Sequence, residues 1–226
     1  MMARLAAPAL LLALLAACTG SGEAANNAAQ NGSATAAVTR NTAQEATTPP
    51  AGPEGVVFAE YDRACRNLAD LEALKTAALA NGWEVYQPEP GSQTARLLAF
   101  AETNVRPLLQ GAPFNNAAYR KTAGGRGLVL MLTDIPSGPA KSSECRVYDF
   151  EAAQPPSEAA IAIWTSNPPT SRIAEQGLTA WQWTPGFREG LSQQSVIHLH
   201  ADSPLRQEIP AVGLAITATL GVASQE

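Results

Sequence analysis

His198 and His200 are the only histidines in the chain, and they stand two residues apart. In a strand that spacing puts both rings on one face, where neutral imidazole nitrogens can bind Zn²⁺ or Cu²⁺. Asp202 continues the same face, and Glu189 precedes the strand as a further carboxylate. The alternate positions, Ile197, Leu199 and Ala201, are apolar, so the pattern predicts that the histidines point to water. Trp181 and Trp183 share a spacing of the same kind, with Phe187 just beyond Pro185-Gly186. An exposed pair of indoles can stack on a sugar ring or on a partner's apolar edge. Alternation with Ala180 and Gln182 is equally the pattern of one wall of a core.

Nucleophilic hydrolysis requires a Ser or Cys held beside a base. The chain has no Gly-x-Ser-x-Gly elbow, and both histidines sit on one predicted strand away from such a turn. Glycoside cleavage needs two carboxylates across a cleft; Asp134, at the end of an apolar strand, and Glu102, on a predicted helix, are the candidates to inspect. Gly124-Gly125-Arg126-Gly127 lacks the following Lys-Ser or Lys-Thr of a phosphate loop and reads as a hairpin turn. No cofactor is expected, and nothing positive in the sequence supports an enzyme.

The elements that must hold these residues follow from periodicity. Phe58, Tyr61, Cys65 and Leu68 recur at helical intervals, and Leu71, Leu74 and Ala78 extend a second apolar line after Asp70, stopped at Asn81-Gly82. A helix starting near Ser92 would turn Leu97, Leu98, Ala101, Val105 and Leu108 inward, with Pro107 weakening its last turn. Leu128 to Leu132 is apolar at every position, as in a central strand covered on both faces, and the glycine-rich turn pairs it with Ala117 through Lys121. Strands are also predicted at Arg146 to Phe150, Thr179 to Thr184, Ser195 to Ala201 and Gly213 to Leu220. Ser157 can cap a short helix bearing Ile161 and Trp164. Strands outnumber helices in a mostly non-alternating order, which predicts a single α+β domain with an antiparallel or mixed sheet and helices mainly on one face.

The N-terminus carries a different signal. Arg4 is the only charge before Cys18, and Leu5 to Ala17 is almost wholly Leu and Ala. That run is shorter than the roughly 20 residues a membrane helix needs but suits the apolar region of an export signal. Leu15-Ala16-Ala17-Cys18 then resembles the lipobox of bacterial lipoprotein precursors. The resemblance implies cleavage after residue 17 and acylation of Cys18, with more than one acyl chain for stable anchoring. Thr19 in place of Asp at the next position favours the periplasmic face of the outer membrane over the inner membrane in that class.

From Thr19 to Glu54 the chain is polar, with no aromatic and only Val38 as a larger aliphatic. Such a segment cannot offset the entropy of ordering, roughly 1 to 2 kcal/mol per residue, so residues 18–54 are expected to be a lipidated tether. As a coil it would span on the order of 30 Å. Residues 55–226 form the expected globular domain. Cys65 and Cys145 remain as an even pair in an oxidising compartment, which reads as a disulfide.

A formal net charge of −5 with dispersed cations argues against nucleic acid, whose binding rests on clustered Lys and Arg. The expected protein is therefore a lipid-anchored component of the cell envelope whose non-catalytic domain binds a protein or a cell-wall component. A carbohydrate-acting hydrolase using carboxylates and a metal-binding protein using His198 and His200 are the alternatives.

Overall fold

The structure, a computed structural model, describes residues 52–138 and 141–221. Cys18, the expected leader and the expected tether through residue 51 lie outside the described residues, while Pro53 and Glu54, expected at the end of that tether, belong to the first helix. Four α-helices occur among the described residues: α1 (Pro53–Ala64), α2 (Leu71–Ala80), α3 (Gln93–Asn104) and α4 (Glu158–Thr165). Their starts are written in the sequence. Pro53 opens α1 at a position where its missing N–H costs nothing. The side chains of Asp70, Ser92 and Ser157 accept from the backbone N–H groups of Ala73, Ala95 and Ala160 at 2.9, 3.2 and 3.1 Å, each cap contributing about 1 kcal/mol.

Eight strands form one antiparallel sheet: β1 (Glu84–Val85), β2 (Asn115–Ala123), β3 (Arg126–Ile135), β4 (Ser142–Asp149), β5 (Ser171–Glu175), β6 (Leu178–Trp183), β7 (Gln193–Leu199) and β8 (Gly213–Gly221). The spatial order is β1-β2-β3-β4-β8-β7-β6-β5. Two four-stranded meanders thus lie side by side and meet at β4 and β8. Gly124 and Gly125, with φ of 55° and 77°, make the two-residue turn that joins Ala123 to its partner Arg126. At Gly213 a Cβ would lie 2.4 Å from the Asp149 carbonyl oxygen, so only glycine lets β8 begin against the end of β4.

The first face of the sheet is packed by α1, α2 and α4. Leu128, Leu130 and Leu132 of β3, Val147 of β4 and Ile216 of β8 meet Phe58, Tyr61, Leu74 and Trp164 there in one apolar cluster. Phe58 stacks on Trp164 with centroids 4.4 Å apart, and Phe187 meets Trp164 and Trp183 edge-on, both at 5.1 Å. The Cys65–Cys145 disulfide joins the end of α1 to β4 across Cα atoms 5.6 Å apart. It closes a separation of 80 residues, which stabilises by roughly 4 kcal/mol on the chain-entropy account.

The second face is covered only in part. Leu97 and Leu98 of α3 pack on Val129, Met131 and Tyr148, and Ala101 and Val105 pack on Leu109, Phe114 and Ile135. Thr94 is the one fully buried residue of α3. Leu108, expected inward, is 59% exposed, because the chain leaves α-helical geometry at Val105 and continues as a 3₁₀ turn over Arg106–Leu109 that buries Leu109 instead. The short edge strands β1 and β5 carry mostly exposed residues and so lack the apolar alternation by which a strand is recognised. No helix among the described residues is long and apolar enough to cross a membrane.

Candidate ligand-binding site

A groove of about 220 Å³ runs over the second face at the junction of the two meanders. Its floor can be read off the pairing register. One cross-strand row is Asn116, Thr133, Glu144, Thr219 and Gln193; the next is Ala118, Met131, Arg146, Thr217 and Ser195; the third is Val129, Tyr148, Ala215 and Ile197, and all of these line the groove except Ala118 and Val129, which pack with Leu97 and Leu98 of α3. The first row is wholly polar, the second mixed and the third apolar apart from the Tyr148 hydroxyl. Beyond the third row Leu199 pairs with Gly213, and Ile209, Pro210 and Val212 add apolar lining. On the flank stand Leu97, Phe100, Ala101 and Val105 of α3.

This arrangement follows from period-two alternation. Cys145 and Val147 turn to the packed face, so Glu144, Arg146 and Tyr148 must turn to the groove. Ile216 and Ala218 do the same for Thr217 and Thr219. The floor groups find partners among themselves. Arg146 is ion-paired with Glu144, whose side chain is 13% exposed. Ser195 Oγ and Thr217 Oγ1 share a hydrogen bond of 2.6 Å, and Thr133 Oγ1 donates to Asn116 Oδ1 at 2.8 Å. Burial pushes the Tyr148 phenol above its ordinary range, an effect the neighbouring Arg146 guanidinium opposes.

One end of the groove is clasped. Gln93 Oε1 accepts from the Val212 N–H at 2.8 Å, and Arg96 Nε donates to the Pro210 carbonyl at 3.3 Å. These bonds join the first turns of α3 to the segment that leads into β8. They hold the helix and that segment together beside the apolar rows.

The residues singled out in the sequence fall elsewhere. His198 is buried at 1% exposure and faces α4's side of the sheet with Gln194 and Val196, not water. The correction has a simple cause. On β7 it is Ser195, Ile197 and Leu199 that line the groove, with Leu199 itself only 3% exposed, so the set that looked like the core side belongs to the groove face, and the histidine side is the one the three helices cover. His198 Nε2 lies 2.9 Å from the Ala152 carbonyl oxygen. Since a carbonyl only accepts, Nε2 carries the proton. Burial lowers the pKa of this ring below 6.5, with His200 acting in the same direction, while the Ala152 bond and Asp149 oppose it. His200, past the end of β7, is half-buried and accepts from the Asp202 N–H at 3.2 Å. Among the described residues no three His, Cys, Asp or Glu side chains come together as a metal site would require.

Trp181 and Trp183 are 3% and 2% exposed and belong to the packed core, so neither indole is open to a ligand. The Trp183 Nε1 donates to the Asn167 carbonyl. Asp134 and Glu102 lie on opposite sides of the sheet: Asp134 shares the parity of Leu130 and Leu132, whereas Glu102 projects from α3 and pairs with Arg106. They form no cleft. Gly124 to Gly127 is the hairpin turn expected.

A second polar cluster lies on the packed face. Asp62 of α1 pairs with Arg188 and accepts from Trp164 Nε1 at 3.1 Å, and the Tyr61 hydroxyl accepts from Gln194 Nε2 at 3.0 Å. Burial raises both Tyr61 and Asp62, against the opposing pull of Arg188. The cluster ties α1, α4, the 184–192 connection and β7 together. It has the bonds of a structural clamp.

Glu144, Arg146, Thr217, Thr219, Ser195 and Gln193 were not marked by sequence reasoning. The signal for them was present as polar residues at every second position of β4, β7 and β8, between apolar ones. Comparison with protein-family models, with curated proteins and with solved structures gives no match.

Proposed function

We propose that the protein is a lipid-anchored, non-catalytic component of the bacterial cell envelope that binds an envelope ligand in the groove beside α3. The observation that carries the binding reading is the groove itself: a concave site with apolar flanks and convergent polar groups, which is the form ligand sites take. Among the described residues Glu144 is the only carboxylate in its lining, and it is paired with Arg146. Neither histidine lines it. Both features favour binding over hydrolysis. The anchor reading rests on Leu15-Ala16-Ala17-Cys18, and the polar sequence between Thr19 and α1 supports a domain held at a distance from the membrane.

Two measurements test the two halves. Cys18→Ser should abolish labelling with radioactive palmitate and move the protein from the membrane to the soluble fraction; retention of label would remove the anchor. A photo-crosslinking residue at Thr217 should trap one defined envelope species in living cells, while the same residue at Glu72, on the outer side of α2, should not. Equal or absent crosslinking at the two positions would remove the binding reading.

A further inference from the structure

We infer that the groove takes a small amphipathic molecule with an apolar tail and a neutral, hydrogen-bonding head. The inference rests on the groove being a ligand site and names what that site selects. Three observations carry it.

The first is segregation along the groove. Rows counted across the sheet pass from Asn116, Thr133, Glu144, Thr219 and Gln193, through a mixed row, to Val129, Tyr148, Ala215 and Ile197. Leu199 and the 209–212 segment extend the apolar half. A ligand that is polar throughout would leave that half without partners. A ligand that is apolar throughout would strip water from the polar rows without replacing its hydrogen bonds, which is costly.

The second is the clasp. Gln93 and Arg96 of α3 are bonded to Val212 and Pro210, which places the junction of helix and strap at the apolar end. The tail therefore meets the walled half, and the head lies over the polar rows.

The third is charge. Among the described residues Glu144 and Arg146 are the only charged groups lining the groove, and they neutralise each other within hydrogen-bonding contact. A head bearing a net charge would lose its hydration and gain no unpaired counter-ion. A neutral head loses less water and can use the spare hydroxyl lone pairs of Thr217, Thr219 and Ser195, together with the Gln193 carboxamide. The size of the site, about 220 Å³, suits a tail of a few methylenes rather than a full membrane acyl chain.

The test uses three probes of one tail length on the full mature chain carrying Cys18→Ser, so that no acyl group of its own competes. These are octyl glucoside below its micellar concentration, octanoate and octylammonium, measured by isothermal titration calorimetry. Octyl glucoside should bind at least tenfold more tightly than either charged probe, and shortening its tail to hexyl should weaken it about tenfold, at about 0.8 kcal/mol per methylene. Glu144→Gln, close in shape, should turn the preference toward octanoate by freeing Arg146. Arg146→Gln should turn it toward octylammonium. Ala215→Phe, filling the apolar half, should abolish binding while thermal melting confirms the fold. Equal affinity for the three heads, or preferences unmoved by the Glu144 and Arg146 changes, would overturn the inference. If no probe binds while Thr217 still traps an envelope species, the groove remains a ligand site and this ligand class is wrong. If Thr217 traps nothing as well, both readings fall.

Discussion

The two faces of the sheet are built from the same strands, yet they differ in nearly every physical respect. On one, three helices, four tryptophans' worth of aromatic packing around Phe58, Trp83, Trp164, Trp181 and Trp183, and the Cys65–Cys145 bond exclude water. On the other, one helix with a single fully buried residue leaves the β4–β8 junction open, and the floor there passes from hydroxyl, carboxamide and ion pair to apolar side chains. The packed face holds the strands in register, and register alone then fixes which side chains line the groove. The packed core and the groove can therefore be perturbed separately, because they draw on alternate residues of each strand.

The largest effect should come from Trp164→Ala. It removes a ring that Phe58, Tyr61 and Phe187 all contact and leaves Asp62 without an indole donor. A loss of about 3–5 kcal/mol is expected, read as a fall in Tm of about 10 °C. A Trp164→Ala protein that melts with the wild type would show that the packed face does not hold the fold.

Cys65→Ser with Cys145→Ser should follow, at roughly 4 kcal/mol, measured as a lower urea midpoint. Adding reductant to the wild type should move its midpoint the same way and leave the double variant unchanged.

His198 gives a pH dependence on the same face. Because burial holds its folded pKa below the ordinary 6.5, the unfolded chain binds more protons between the two values, so stability rises with pH there. Its contribution is intact above 6.5 and is lost as pH falls from 6.5 through the lowered value. His198→Gln retains a donor for the Ala152 carbonyl and cannot titrate. The difference in urea midpoint between variant and wild type should shift in the variant's favour from pH 7.5 to 5; a constant difference would place His198 in water-like surroundings.

On the groove face the expected changes are smallest. Ser195→Ala alone leaves Thr217 Oγ1 without its 2.6 Å partner and should cost about 1 kcal/mol, whereas Ser195→Ala with Thr217→Val removes both hydroxyls and should restore most of it. A double variant as costly as the sum of its singles would mean that the two hydroxyls do not act as a pair.

Much of the local structure was legible. The helix starts at Asp70, Ser92 and Ser157 are local matters of one side-chain oxygen and one N–H, and the Gly124-Gly125 hairpin needs only residues that tolerate positive φ. Leu128 to Leu132, apolar at consecutive positions, announced a strand covered twice, and the structure gives α1 and α2 on one side of it and α3 on the other. The groove was less legible. Gln194, Val196 and His198 look more polar than Ile197 and Leu199, yet they are the set turned to the face that three helices cover, because alternation says that two faces exist and not which one the helices cover. Arg146 and Glu144 appeared as ordinary strand charges until register placed them beside Thr217 and Thr219.

By itself the sequence determined what local chemistry decides: the capped helices, the tight hairpin, the even cysteine pair and the α+β class. The tertiary structure alone decided that β8 returns to lie beside β4, that α3 crosses the face opposite the other helices, and that polar rows from distant strands assemble into one floor. These depend on contacts between residues far apart in the chain. Their energies come from shared burial and register, which no short window of sequence contains.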